Sequence, residues 1–136
     1  MPSPDELRAH IAEGRAALKS AIQTSGDRWE QTIPGDDWSP RKAAEHAIGA
    51  EVYFASEVCS ACGYPGLDPW TGSYATPADA LAGLDQAAAA ADGRLKYVSD
   101  TDLVKSHPQM GTVTDIMTID ARHLLEHAEQ LRGAGQ

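Results

Sequence analysis

The chain has 136 residues, enough for one domain with a proper apolar core. Its 20 acidic against 11 basic residues leave a net charge of −9; that balance repels phosphate backbones, no helix carries a basic stripe to offset it, and nucleic-acid binding is not expected. No apolar run approaches the length of a membrane span, and the N-terminal MPSPDELRAH lacks the basic and apolar segments of a secretory signal, so a cytoplasmic protein without membrane contact is expected.

The first helix is predicted from about Ser3 to Thr24. Ser3 as N-cap, Pro4 at the first helical position and Glu6 at the third form a capping box. Leu7, Ile11, Leu18 and Ile22 make its apolar stripe. The stretch GDRWEQTIPGDD then breaks the pattern. A second helix opens in WSPRKAAEHAIGAE, with Ser39 as cap and Pro40 just inside, and stops near Cys62–Gly63. The long connection GYPGLDPWTGSYA follows, rich in glycine, proline and aromatics, and loops of this length are often functional.

Thr76 and Pro77 start the third helix, whose core stripe is predicted as Leu81, Leu84, Ala88, Ala91, Leu95 and Val98. The connection SDTDLVKSHPQMG leads to a fourth helix that begins near Thr112, with Asp115 three residues on, and ends at Gly133. Nothing alternates as a strand pair would. The chain therefore reads as all-α, a four-helix bundle in a single domain over residues 1–136.

Two cysteines, Cys59 and Cys62, are too few for a disulfide scaffold. They fall in phase with Val52, Ala55 and Val58, which reads as core packing, with a modest redox role left open.

Of the histidines, His10 and His107 read as surface or boundary residues. His46 lies two turns into the second helix beside the small residues Ala43, Gly49 and Ala50, which leave room around its ring. On the fourth helix Ile116, Asp120, His123 and His127 share one face. A pair of histidines near a helix C-terminus can simply suit the macrodipole. Burying several imidazoles and a carboxylate together is costly unless each finds a partner, and a divalent cation is one efficient partner. Three imidazoles suit Zn²⁺, Ni²⁺ or Fe²⁺ better than Mg²⁺ or Ca²⁺, and they leave a coordination position open for water or substrate. Asp120 is a candidate acceptor that would fix a histidine tautomer.

The stretch WSPRKAAEHAIGAE resembles the second-helix motif of the DinB-like (damage-inducible, YfiT-like) family, in which Trp-Ser precedes the helix and a His follows the Trp by eight; Trp38, Ser39 and His46 fit. HLLEHAEQL resembles the family's closing motif through His123, His127 and Gln130. Chain length and motif order agree as well. The resemblance implies an up-down-down-up bundle, often a homodimer, with a divalent metal on His46, His123 and His127. Characterised members include thiol-dependent S-transferases and the mycothiol-dependent maleylpyruvate isomerase, in which the metal lowers the pKa of a low-molecular-weight thiol. Lys42 departs from the family pattern, where an acidic residue often completes the cap, and the Tyr64–Tyr74 loop and the cysteine pair have no assigned place in it.

The leading expectation is thus a metal-dependent thiol transferase or isomerase acting on a small-molecule substrate. Trp70, Tyr64 and Tyr74 are candidate lid residues or local core. Glu51, Glu57 and Asp120 are the only general-base candidates, and none is compelling. The alternatives are a non-catalytic dimeric bundle that binds a small ligand or a metal, and a metal-free structural bundle.

Overall fold

The computed structural model describes residues 2–133, and four helices carry them: α1 (Pro4–Ser25), α2 (Pro40–Cys62), α3 (Pro77–Leu95) and α4 (Val113–Arg132). All four start alike. The hydroxyls of Ser3, Ser39, Thr76 and Thr112 accept the N–H groups of Glu6, Lys42, Asp79 and Asp115, satisfying a donor that the first turn leaves free. Glu6 and Asp115 reach back to complete capping boxes on α1 and α4. Lys42 cannot do so on α2; its ammonium lies over the Trp38 ring instead, 5.1 Å from the centroid.

α1 lies mainly along α4, and α2 packs against both α3 and α4. The two helices α1 and α4 approach closely at Gly14, where a Cβ would come within 2.9 Å of Leu124 Cβ and 3.0 Å of the Ala121 carbonyl oxygen. Leu7, Ile11, Leu18 and Ile22 are buried as their spacing predicts. The α3 stripe differs in part: Leu84, Ala91, Leu95 and Val98 are buried, but Leu81 and Ala88 are only half-buried, and Ala80, Gly83 and Ala87 face the core. A helix whose middle reads AAAAA offers little polarity contrast to fix its phase.

Residues 63–76 run back over the bundle. Tyr74 is buried there, its carbonyl accepting the Trp29 indole N–H at 2.9 Å and its hydroxyl accepting the Trp70 indole N–H at 3.0 Å. Gly72 and Gly83 leave the space its ring fills, for a Cβ at either would overlap the phenol. Tyr74 is therefore local core rather than lid.

The described residues are mostly helical, in keeping with the all-α expectation, but the third connection holds a strand pair that was not expected. After a 3₁₀ turn at Asp100–Val104 come two short antiparallel strands, β1 (Ser106–His107) and β2 (Gly111–Thr112). Two residues per strand are too few to show alternation, and Gly111 supplies the positive φ of +85° at the turn. His107 is buried, contrary to its reading as a surface or boundary residue. Its Nδ1 accepts the Gln109 N–H at 3.0 Å, so Nε2 carries the proton that it donates to Glu57, tying the hairpin to α2.

Nearby, burial opposes ionisation of Asp102, but Lys105, Ser99 and the Tyr64 hydroxyl together hold its carboxyl well below the usual range. Tyr64 is thus engaged away from the histidines. Cys59 and Cys62 are free and buried, and burial raises both thiols, Cys62 to about 11. That places them in core packing and keeps them protonated at neutral pH. Among the described residues no helix is long and apolar enough to cross a membrane.

Candidate metal centre

α2 delivers His46, and α4 delivers His123 and His127 one turn apart. The three ring nitrogens meet: His127 Nε2 lies 3.0 Å from His123 Nε2, which lies 3.3 Å from His46 Nε2. One potential ligand atom from each falls within 4.8 Å of the others, and among the described residues no carboxylate joins the group. Two nitrogens each about 2.0–2.1 Å from one tetrahedral ion sit about 3.3 Å apart, so the spacing is that of a coordination site.

Aromatic rings hold the imidazoles in place. Trp38 stacks on His127, with centroids 6.2 Å apart and planes 4° from parallel, and meets His46 edge-on at 5.3 Å. Phe54 meets His123 edge-on at 5.4 Å. Burial, with His127 and His46 as like-charged neighbours, pushes His123 down to about 4, and burial with His127 lowers His46. At neutral pH these two rings are uncharged, which is the ligating form.

The tautomer of His127 follows from its partners. Gln130 donates its amide N–H to Asp36 Oδ2 at 2.8 Å, because an ionised carboxylate can only accept. Its Oε1 must then face His127 Nδ1, 2.7 Å away, and a carbonyl oxygen requires that nitrogen to carry the proton. His127 Nε2 is left as a bare lone pair aimed at the other two rings. Asp36 also accepts the Trp38 N–H at 2.9 Å, and these bonds, Gln130 first, hold its carboxyl below the usual range. One carboxylate thus orients both His127 and the ring stacked on it. Gln130 was visible as part of a motif; Asp36 was not singled out, and the short Asp-x-Trp turn was its only local signal.

Asp120 does not fill the tautomer-fixing role expected of it. His123 lies only about one turn further along α4, yet none of the bonds to the imidazoles comes from Asp120. It faces Glu51 of α2, which pairs with Arg15 of α1, and Arg15 in turn holds Asp92 of α3 at 2.7 Å. Burial and the Glu51 charge raise Asp120 far above a normal carboxyl; burial also raises Glu51, against the pull of Arg15. Burial thus favours the protonated form of Asp120 beside the Glu51–Arg15 pair. All three general-base candidates are therefore engaged: Glu51 and Asp120 here, Glu57 with His107. Of the lid candidates only Trp70 lies by the histidines, lining a cleft with His46.

No family model matches the chain, and neither does any curated protein or solved structure.

Proposed function

We propose that His46, His123 and His127 hold one divalent transition-metal ion (zinc, nickel or iron(II)), and that the protein is a thiol-dependent transferase or isomerase of the DinB-like kind. The observation that carries this reading is the convergence of three imidazole nitrogens at ligand spacing, one with its tautomer set for coordination, with no acidic side chain among them. An ion held by three nitrogens keeps a position open and brings the pKa of a thiol or water bound there down towards neutrality. Asp36 and Gln130 orient His127, while Trp38 and Phe54 brace the rings and cover their apolar edges. Glu51, Asp120 and Glu57 are engaged elsewhere, so none of these three stands ready to take a proton. That favours a nucleophile acidic enough to ionise without a base, a thiol over water.

The up-down-down-up order belongs to the same proposal. Arg8 bonds the carbonyls of Leu95 and Val98, Arg15 pairs with Asp92, and Lys19 lies by Asp85, a descending series that supports antiparallel α1 and α3. His46 with His123 and Glu51 with Asp120 support antiparallel α2 and α4. Glu45 bound to Tyr74, which packs on Gly83, and Cys59 near Arg94 support parallel α2 and α3.

The test is consumption of a low-molecular-weight thiol with an aromatic electrophile by the zinc-loaded protein. Turnover that falls to background with chelator and in His123→Ala supports the proposal. Metal bound without turnover over a panel of thiols and electrophiles would sink the catalytic part and leave a metal-binding bundle.

A further inference from the structure

Beside His46 a cleft of about 430 Å³ opens between α2 and the 63–76 connection, and a second of about 230 Å³ adjoins it. Gly49, Tyr53 and Trp70 line both, so the two form one groove along α2 with His46, a member of the histidine cluster, at one end. Its size is that of a small-molecule site. We infer that this groove binds a planar aromatic group, uncharged or cationic, of the molecule whose other end reaches the histidines.

The wall opposite α2 is built in advance. Trp70 is held by the Tyr74 hydroxyl at 3.0 Å, and the Tyr74 N–H is fixed on Glu45 at 2.7 Å. Gly49 lets this segment lie against the helix, since a Cβ there would stand 3.1 Å from the Trp70 carbonyl oxygen. Gly49 and Ala50 give the α2 side a floor of little bulk, and Trp70 and Tyr53 bring two aromatic rings to the lining. Tyr53 leaves 54% of its surface in solvent, available to a second ring.

Charge selects the ligand. Glu45, Glu57 and Asp68 edge the groove, Glu45 paired with Arg41 at 3.1 Å and Glu57 bound by His107, and among the described residues no lysine or arginine lines either part of it. On a chain of net charge −9, an anionic ring substituent meets repulsion there and a cationic one attraction. A protein–protein contact would need a broader face than this cleft offers.

The link to a substrate rests on the proposed metal centre; the groove itself does not. The experiment titrates 2-naphthylmethylamine, 2-naphthol and 2-naphthoate into the isotope-labelled full chain, metal-free and zinc-loaded, and follows amide and indole N–H resonances. The amine and the naphthol should shift Gly49, Tyr53 and the Trp70 indole saturably in the metal-free protein, with the carboxylate about tenfold weaker or worse. Ala50→Phe, which fills the floor, and Tyr53→Ala should each weaken the amine while zinc stoichiometry stays unchanged. Equal or tighter binding of the carboxylate to metal-free protein, shifts mapping elsewhere, or no effect of either variant would overturn the inference. Amine binding without zinc binding would instead remove the metal centre and leave the groove standing. Zinc binding with no amine binding would do the reverse.

Discussion

Two clusters of ionisable groups lie about a turn apart along α4, and they are built on opposite terms. Glu51 and Asp120 are nearly fully buried, and the Arg15 guanidinium, shared with Asp92, supplies their countercharge from inside the fold. His46, His123 and His127 are less buried but have only one another at their meeting point. A cluster with its partners inside the fold is architecture. A cluster of lone pairs with no internal partner is a site waiting for something from outside.

The comparison is sharpest in unfolding experiments. Arg15→Met strands the buried Glu51 carboxylate and should cost about 3–5 kcal/mol in urea denaturation. His123→Leu in the metal-free protein should cost less than about 1 kcal/mol, or stabilise, because it removes a desolvated polar group. Equal losses at both sites would erase the distinction drawn here.

Next in size are the groups behind the histidines. Asp36→Asn and Gln130→Ala release the His127 tautomer and should weaken zinc binding about 10- to 100-fold by competition titration, while melting temperatures stay near that of the parent. Affinity unchanged in both variants would mean that the ring needs no orientation.

The smallest effect is pH dependence of the metal-free fold. His123 and His46 titrate lower folded than unfolded, so the unfolded chain takes up protons first. Their contribution to stability is complete above the ordinary histidine value of 6.5 and is lost as pH falls through about 4 for His123. Urea midpoints between those pH values should drop less steeply in His46→Ala/His123→Ala than in the parent. A parallel course in the two proteins would place the acid sensitivity elsewhere.

Much of this architecture was legible in the sequence because it is local. The cap residues Ser3, Ser39, Thr76 and Thr112, each followed within one turn by its partner, gave four helix starts without any knowledge of tertiary structure. The three histidines could be picked out by helical phase and motif. What stayed hidden depends on distant parts of the chain. Asp36 meets Gln130 across 94 residues, and Arg15 meets Glu51 across 36. The surroundings of Asp120 stayed hidden for the same reason: it shares a helix face with the histidines, but its neighbours Glu51 and Arg15 come from two other helices. The β1–β2 hairpin escaped because two-residue strands have no period.

The central claim is that the histidine cluster takes its partner from solution, and metal content tests it most directly. The tagless protein, prepared without chelator, would be weighed intact under native conditions and analysed for transition metals, alongside His123→Ala. The account predicts close to one zinc, nickel or iron per chain in the parent and none in the variant, with both folded. No metal in the parent, and none taken up on adding zinc or nickel, would contradict it and return the three imidazoles to packing.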